Sequence, residues 1–354
     1  MWQRLFRKKI CIGIDLGSSE IKAVAVKKSG SGVTVEAAEK VSLPAGVMDN
    51  GKIIDAKGLS ETLKLMADKI DMKKKQLVIA ATGKNVVVRQ LKLPQMPVKE
   101  IEQAVKWEAE KYVPLPQNEL IIDHVNFGLV DKEDKQLFVL MVAVPKKDVF
   151  DFYETFSLGG LELSAIDIEP LALWRLMGDV QAGSGPAAII DFGAKQTSLL
   201  ITHNNCLDFN RSFDIGGDTV TDAIAEKLGV DFAAAQQIKE QKAAMPAGSQ
   251  VGAQSLLNLA LLEGVGRLLH EIRRSLDFYK IQSQGNAVSQ IFISGGMANM
   301  PGIIKFFQNE LELPVSFFNS NLSWSSEDLS CCNEEGVLDP AWAVAAGLAL
   351  WEVK

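Results

Sequence analysis

Residues 12–24 read "IGIDLGSSEIKAV". An apolar run is interrupted by one acid, Asp15, then by Gly17-Ser18-Ser19, and the chain resumes as a second β-rich run, Ile21 to Val26. A buried carboxylate is costly unless something pairs with it. Small turn residues let backbone N–H groups approach a ligand closely. A hairpin that cradles phosphates while Asp15 faces their metal ion satisfies both features. The pattern returns half a chain later. Residues 188–201 read "AIIDFGAKQTSLLI": an apolar strand to Asp191, then Gly193, a short turn through Ala194, Lys195 and Gln196, and a strand beginning near Thr197. One such hairpin is ordinarily just a turn. Two at half-chain spacing point to a duplicated α/β unit, with a nucleotide in the cleft between the halves and one hairpin on each side of its phosphates.

Composition agrees with two ordinary domains. The chain has 354 residues, of which 47% are hydrophobic, ample for sizeable cores. A net charge of −7 with no basic stripe argues against nucleic acid as a main partner. Cys11, Cys206 and the adjacent Cys331-Cys332 show no metal-ligand spacing, and there are only three histidines. These features argue against a structural metal and fit a reducing cytosolic setting. No stretch approaches the length of a membrane span. The N-terminal "MWQRLFRKK" is basic, with Trp2, Leu5 and Phe6, but lacks the apolar core of a signal peptide. It is either a solvated lead-in or a segment that brushes an anionic membrane surface.

Two further segments belong with the hairpins. "QIFISGGMANMPGIIKFFQNEL" predicts a strand to Ser294, then Gly295-Gly296-Met297, then a helix with Pro301 near its first turn. Bare backbone at the two glycines lets a flat ring or ribose lie against it. "DPAWAVAAGLALW" is an Ala-rich helix with Gly347, suited to close packing at a hinge or to an ordinary buried position. "DIGGDTVTDAIAEKLG" reads as a turn at Gly216 and Gly217, a cap at Asp218 and a helix; both glycines count among the candidate nucleotide contacts. The longest helix is expected over about 254–281, with Leu261, Val265, Leu268, Leu269, Ile272, Leu276 and Tyr279 facing the core. "QAGSGP" (181–186) is the expected hinge between a first domain, 1–182, and a second, 183–354, whose small subdomain spans about 218–289.

Within the first half, residues 86–168 read strand, helix, strand, strand, helix, strand, the order of a ferredoxin-like module. Its first helix places Ile101, Ala104, Val105, Ala109 and Tyr112 on one face, which should pack on the sheet. Trp107 lies off that stripe. It is either a partner-docking point or a residue that a neighbouring subdomain covers.

The two hairpins, the Gly-Gly segment, the final Ala-rich helix and "DIEPLALWRLMG" together resemble the actin-like ATPase superfamily. The resemblance implies two duplicated ribonuclease-H-like α/β domains around ATP and Mg²⁺. Asp15 and Asp191 would hold the metal mainly through water, Lys22 would reach the phosphates, and Gly17, Ser18, Ser19, Gly193, Ala194, Lys195, Gln196, Thr197 and Met297 would line the nucleotide site. Glu169, at the start of a connecting helix near 169–177, would position the hydrolytic water. Lys239 and Glu240 resemble residues that touch ribose and adenine, although Gln236 departs from the acid expected beside them. Arg274, on a face with Glu271, Ser275 and Phe278, resembles the adenosine-contacting helix of the Hsp70 branch; the alternative is a solvated face. Lys195 either neutralises phosphate charge, fills space that an attacking water would need, or faces solvent at the hairpin tip.

Within the superfamily, "VKWEAEKYVPLP", "IIDFGAKQTSLLI" and "EIRRSLDFYK" look like the type IV pilus assembly family PilM. That resemblance implies a cytoplasmic scaffold held at the inner membrane by a partner, the N-terminal cytoplasmic tail of PilN, in a groove between the inserted module and the first domain's body. Hydrolysis is expected to be weak or absent, because Lys195 and Gln196 stand where faster hydrolases prefer small residues. Self-association and contacts with other pilus proteins stay open. Two alternatives remain. A filament-forming division protein like FtsA usually ends in a basic amphipathic helix, whereas this sequence stops at "LALWEVK". A small-molecule kinase needs a catalytic acid that no residue of the first half distinctively supplies.

Overall fold

The structure, a computed structural model, describes residues 10–29, 32–83, 85–131, 136–178, 185–246, 256–318, 322–324, 331–332 and 337–351. The basic N-terminal segment and most of "QAGSGP" lie outside these residues. The chain opens with an antiparallel meander, β1 (Ile10–Leu16), β2 (Glu20–Ser29) and β3 (Gly32–Ser42). A small hairpin follows, β4 (Met48–Asp49) and β5 (Lys52–Ile53). Asn50 and Gly51 form its turn, both at positive φ, as an Asn-Gly hairpin requires. Helix α1 (Ala56–Lys69), capped by the Asp55 carboxylate, leads to β6 (Gln76–Ala81), which pairs parallel to β1.

An insertion then departs from this sheet: β7 (Val87–Pro94), α2 (Val98–Ala109), β8 (Leu120–Asp131) and β9 (Gln136–Pro145). The chain returns through α3 (Lys146–Leu158), β10 (Leu163–Ile168) and α4 (Glu169–Met177). The second half repeats the plan. Its meander is β11 (Ala187–Phe192), β12 (Thr197–His203) and β13 (Cys206–Phe213). Helices α5 (Gly217–Leu228), α6 (Phe232–Lys242) and α7 (Leu256–Gln282) follow, then β14 (Gln290–Ser294), α8 (Ile303–Leu311) and β15 (Val315–Phe317). A short β16 (Ser323–Trp324) joins the first sheet beside β3, and α9 (Ala343–Ala349) ends the described helices.

Strand order makes the duplication explicit. From the third strand of each meander, the sheets run β3-β2-β1-β6-β10 and β13-β12-β11-β14-β15. Parallel neighbours need crossovers that cover a face of the sheet. Alternation along the strands follows: Ile12, Ile14, Ile21 and Ile79 join the core under α1 and α3, while Cys11, Val24, Val26 and Val78 turn inward to α4 and α9. In the second sheet Ile189 and Leu200 face the same central helices, and Ile190, Leu199 and Ile201 face α5, α7 and α8. The two helices α4 and α9 are thus sandwiched between sheets. Gly13 and Gly347 permit it: a Cβ on Gly13 would lie 2.1 Å from the Ala345 carbonyl oxygen, and one on Gly347 2.2 Å from that of Ala172. Arg175 locks the crossing by donating to the Gly347 carbonyl at 2.8 Å and pairing with Asp167.

The ferredoxin-like expectation for 86–168 is corrected in its last third. The element order is as read, but β10 leaves the module and pairs parallel with β6, Leu163 with Leu77 through Ile168 with Ala81. The insertion is a three-stranded sheet, β7-β9-β8, with one helix. The physical reason lies in burial. Phe152 and Phe156 of α3 find Leu59, Leu63 and Met66 of α1, so α3 serves as a crossover of the main sheet. Helix α2 covers the module with Ile101, Val105 and Ala109, as its spacing predicts. Tyr112 falls beyond the helix end instead, half exposed beneath the Arg89 guanidinium. The module's other face packs on α4, where Phe127 meets Trp174 edge to face, and Gln90 donates to Asp208 of β13 at 3.1 Å. The insertion therefore touches both halves.

Candidate functional site

Strands β1 and β11 end at equivalent points, each with an acid facing its returning strand: Asp15 opposite Lys22, Asp191 opposite Ser198. The turns that follow are the same turn twice. A Cβ on Gly17 would lie 2.7 Å from the Glu20 carbonyl oxygen, and one on Gly193 2.7 Å from that of Gln196. Only glycine fits so tight a return. The two turns face each other across a cleft of about 610 Å³, lined also by Lys22, Glu169, Lys239 and Glu240. Of the sequence-predicted residues, Asp15, Gly17, Ser18, Ser19, Lys22, Glu169, Asp191, Gly193, Ala194, Lys195, Gln196, Gly217, Lys239, Glu240, Gly295, Gly296 and Met297 all border it.

Its floor is crowded with buried carboxyls. Burial raises the Asp15 pKa, with Lys22 opposing. Burial pushes Asp191 up to about 6, against a hydrogen bond from the Ser294 hydroxyl at 2.7 Å. Burial, with the Asp191 charge adding, pushes Glu169 up to about 8, and its Oε1 has no hydrogen-bond partner among the described residues. Lys22 is the buried cation among them. Burial works against its charge, but Asp15, Glu20 and Asp191 overcome this and hold its pKa above the ordinary value. Its ammonium pairs with Glu20 at 2.9 Å.

Three acids pressed together with one lysine raise the pKa values of Asp15, Asp191 and Glu169, and a bound cation is what would let them ionise together. Among the described residues no three carboxylates, histidines or cysteines converge to ligate a metal directly. This donor set fits a hard ion held by one or two carboxylates and its own waters, the habit of Mg²⁺.

The side of the cleft formed by Gly295 and Gly296 is built from close backbone contacts. Gly295 takes φ +88°, and a Cβ there would collide with the Phe192 backbone at 2.4 Å; its N–H donates to the Pro340 carbonyl. Gly296 has nothing within 4 Å of where its Cβ would stand, leaving an open backbone face. The 3₁₀ turn Gly296–Asn299 follows, and α8 begins at Ile303, two residues past Pro301, as expected of a helix with Pro301 near its first turn. Lys239 donates to the Gly217 carbonyl at 2.9 Å and the Thr221 hydroxyl at 2.7 Å. Burial lowers its pKa, with Asp218 opposing.

Three expectations are corrected. Gly216 and Thr197 lie behind the second turn rather than in the cleft. A Cβ on Gly216 would lie 2.5 Å from the Ala194 carbonyl oxygen, and the buried Thr197 hydroxyl donates to the Ile215 carbonyl at 2.6 Å. Asp218 does not cap α5. Gly216 occupies that position without a side-chain bond, and the first-turn N–H groups of Gly217 and Asp218 donate to the carbonyls of Gly193 and Ala194. Arg274 belongs to a different groove, beside Arg89 and Phe278. Helix α7 is long enough that its second half runs beneath β13: Ser275 is fully buried and bonded by Arg211, and Arg274 pairs with Glu271.

Sequence reasoning missed the β4–β5 hairpin, whose Asn50 and Gly51 border the cleft, as well as Glu20, Asp339 and Trp342. The Asn50-Gly51 pair was the available signal. Nor does Lys195 sit free at a hairpin tip: it bonds Asp49 across the cleft at 2.7 Å. Trp107, outside the cleft, stays 62% exposed, and none of the described residues covers it.

A family described as type IV pilus assembly protein PilM matches residues 13–353. A solved PilM-PilN type IV pilus biogenesis complex is 26% identical, covers 98% of this chain and 100% of that one, and superposes with a TM-score of 0.83. MreB5 of Spiroplasma citri bound to ADP shares the fold at 15% identity, covering 98% of this chain and 96% of its own, with a TM-score of 0.53. The cell division protein FtsA of Bacillus subtilis is 19% identical over 96% of this chain and 82% of its own length.

Proposed function

The chain belongs to the type IV pilus assembly protein PilM family and has the actin-like ATPase fold, and from that premise we propose a nucleotide-operated scaffold. It binds ATP with Mg²⁺ between its halves and holds the N-terminal cytoplasmic tail of the inner-membrane protein PilN. The observation that carries the nucleotide reading is the pair of equivalent acid-glycine turns facing each other across one cleft, with Lys22 and three buried carboxyls at its floor. Backbone N–H groups of residues 17–19 and 194–196, with Lys22, balance phosphate charge, while the Gly193 N–H closes the turn on the Gln196 carbonyl. Asp15 and Asp191 would hold a Mg²⁺ ion mainly through its waters, and its charge would favour their ionised forms against the burial that raises their pKa values. Glu169 would position a water if hydrolysis occurs, and Gly295-Gly296 would give a nucleoside its backbone shelf.

In this reading the two sheets with their covering helices move as two units about α4 and α9, and β16, from the second half of the chain, moves with the first sheet that it joins. The insertion, seated on α4 and on β13, follows that motion, and so binding shifts a population of partner-competent states. No helix among the described residues is long and apolar enough to cross a membrane, and attachment to the inner membrane comes through the partner.

Calorimetry with ATP and Mg²⁺ tests the first claim. Asp15→Ala is expected to weaken binding about tenfold, as loss of one charge-assisted contact does, with the fold intact by circular dichroism. Equal affinities in the wild type and the variant remove the metal role. For the partner, Trp107 is an exposed aromatic on a helix fixed by Pro97 at its start. Trp107→Ala is expected to weaken binding of a synthetic PilN tail about tenfold by fluorescence anisotropy. An unchanged dissociation constant takes Trp107 out of the interface.

A further inference from the structure

The ion pair between Asp49 and Lys195 joins the two halves at the rim of the cleft, at 2.7 Å. Both ends stand on stiff backbone. Asp49 precedes the Asn50-Gly51 turn, which is pressed against the loop after β6: a Cβ on Gly51 would lie 2.2 Å from the Thr82 carbonyl oxygen, and one on Gly83 2.0 Å from that of Asn50. The hairpin's base is closed by the N–H groups of Ile54 and Asp55, both donating to the Val47 carbonyl. Lys195 stands in the second turn, closed by Gly193 N–H on the Gln196 carbonyl and braced from behind by the first N–H groups of α5. The pair therefore ties two preformed loops, one from each half, without ordering either. Asn50 and Gly51 on one side and Lys195 on the other border the cleft, so anything entering or leaving between them must pass this pair.

We infer that Asp49 and Lys195 form a latch across the mouth of the cleft, and that Asp49, by holding Lys195 there, sets how fast a nucleotide leaves. The inference rests on the nucleotide reading of the cleft. Rotation of the halves about α4 and α9 widens the mouth and parts the pair. With both side chains about half exposed, at 50% and 43%, the pair contributes little to global stability. At the mouth the same small interaction adds directly to the barrier for opening. Lys195 thereby takes a role that neither phosphate neutralisation nor blocking of water describes. Asp49 becomes a positioning residue for it.

The test is the release of a fluorescent N-methylanthraniloyl ATP from the full chain with Mg²⁺, chased by excess ATP in stopped flow. Asp49→Asn and Lys195→Gln are each expected to speed release about fivefold, the upper range for a half-exposed pair. The double variant should be no faster than either single one, since the pair can be broken only once. Asp49→Glu should return the rate to within twofold of wild type. Additive effects in the double variant, or faster release with Lys195→Gln alone, overturn the latch and make Lys195 a direct phosphate contact. If the wild type binds no analogue, the nucleotide reading fails by itself. Amide hydrogen exchange without nucleotide then decides the latch. Faster exchange in residues 48–53 and 193–196 of both single variants upholds it as a contact between the halves, and unchanged exchange overturns it.

Discussion

Gly347→Ala is expected to lower the unfolding free energy by roughly 3 kcal/mol, the cost of forcing a methyl into a filled interior. The added Cβ would stand 2.2 Å from the Ala172 carbonyl oxygen and 2.5 Å from its carbonyl carbon. Those atoms belong to the backbone of α4, so no side-chain rotation relieves the clash. The helices must separate, and the hydrogen bond from Arg175 to the Gly347 carbonyl separates with them. Gly266→Ala, on α7 where a Cβ meets open space, is the control. Nothing lies within 4 Å of the new atom there, and removing a helical glycine should stabilise by roughly 0.5–1 kcal/mol. Urea unfolding of the two variants measures both effects. Equal midpoints for Gly347→Ala and the wild type would mean that α4 and α9 can slide apart freely, against the packing described above.

Glu169→Gln is expected to stabilise the nucleotide-free protein, and only in neutral to alkaline solution. The carboxyl titrates near 4.5 in the unfolded chain and at about 8 in the fold, where burial and the Asp191 charge oppose ionisation. Between those values the folded state keeps a proton that the unfolded state releases. Stability therefore falls as pH rises from 4.5 to 8, and the full penalty applies above 8. An amide carries no such penalty. The gain from Glu169→Gln should be on the order of 3 kcal/mol at pH 9 and vanish near pH 4. Asp191, pushed up to about 6, adds a slope of the same sign over a narrower window in both proteins. Urea unfolding at a series of pH values reads the difference directly. Parallel curves for variant and wild type would show that Glu169 ionises normally in the fold.

Much of the cleft was legible from short motifs because it is made of local backbone geometry. Asp15 and Asp191 end strands whose next residues can form only one kind of tight turn, and Gly17 and Gly193 are demanded by that turn itself. The Gly295-Gly296 shelf was readable for the same reason: φ +88° and the approach to Phe192 exclude a side chain at Gly295. Helix faces were legible where periodicity was strong, as in α2 and the core face of α7. Arg274 was misplaced because periodicity names a face but not the neighbour that the face meets. Ser275, polar by type, is fully buried against β13. Thr197 and Gly216 were misplaced by a single layer, since a residue that braces a phosphate turn from behind and one that lines it look alike in sequence.

What the sequence determined alone was the repeated unit: strand, acid, glycine turn, strand, at half-chain spacing, and with it the facing pair of turns. Every part of that inference spans only a few residues, where steric limits on φ and the cost of burying a charge leave one answer. The partner of each element across the chain was decided only by tertiary structure. Strand β10 could have closed a four-stranded module and joined β6 instead, because α3 buries Phe152 and Phe156 against α1. Lys195 could have pointed at solvent or at phosphate and meets Asp49, brought there by a hairpin 146 residues away in sequence. Such choices depend on which surfaces exclude water together, a property of the assembled halves that no window along the chain contains.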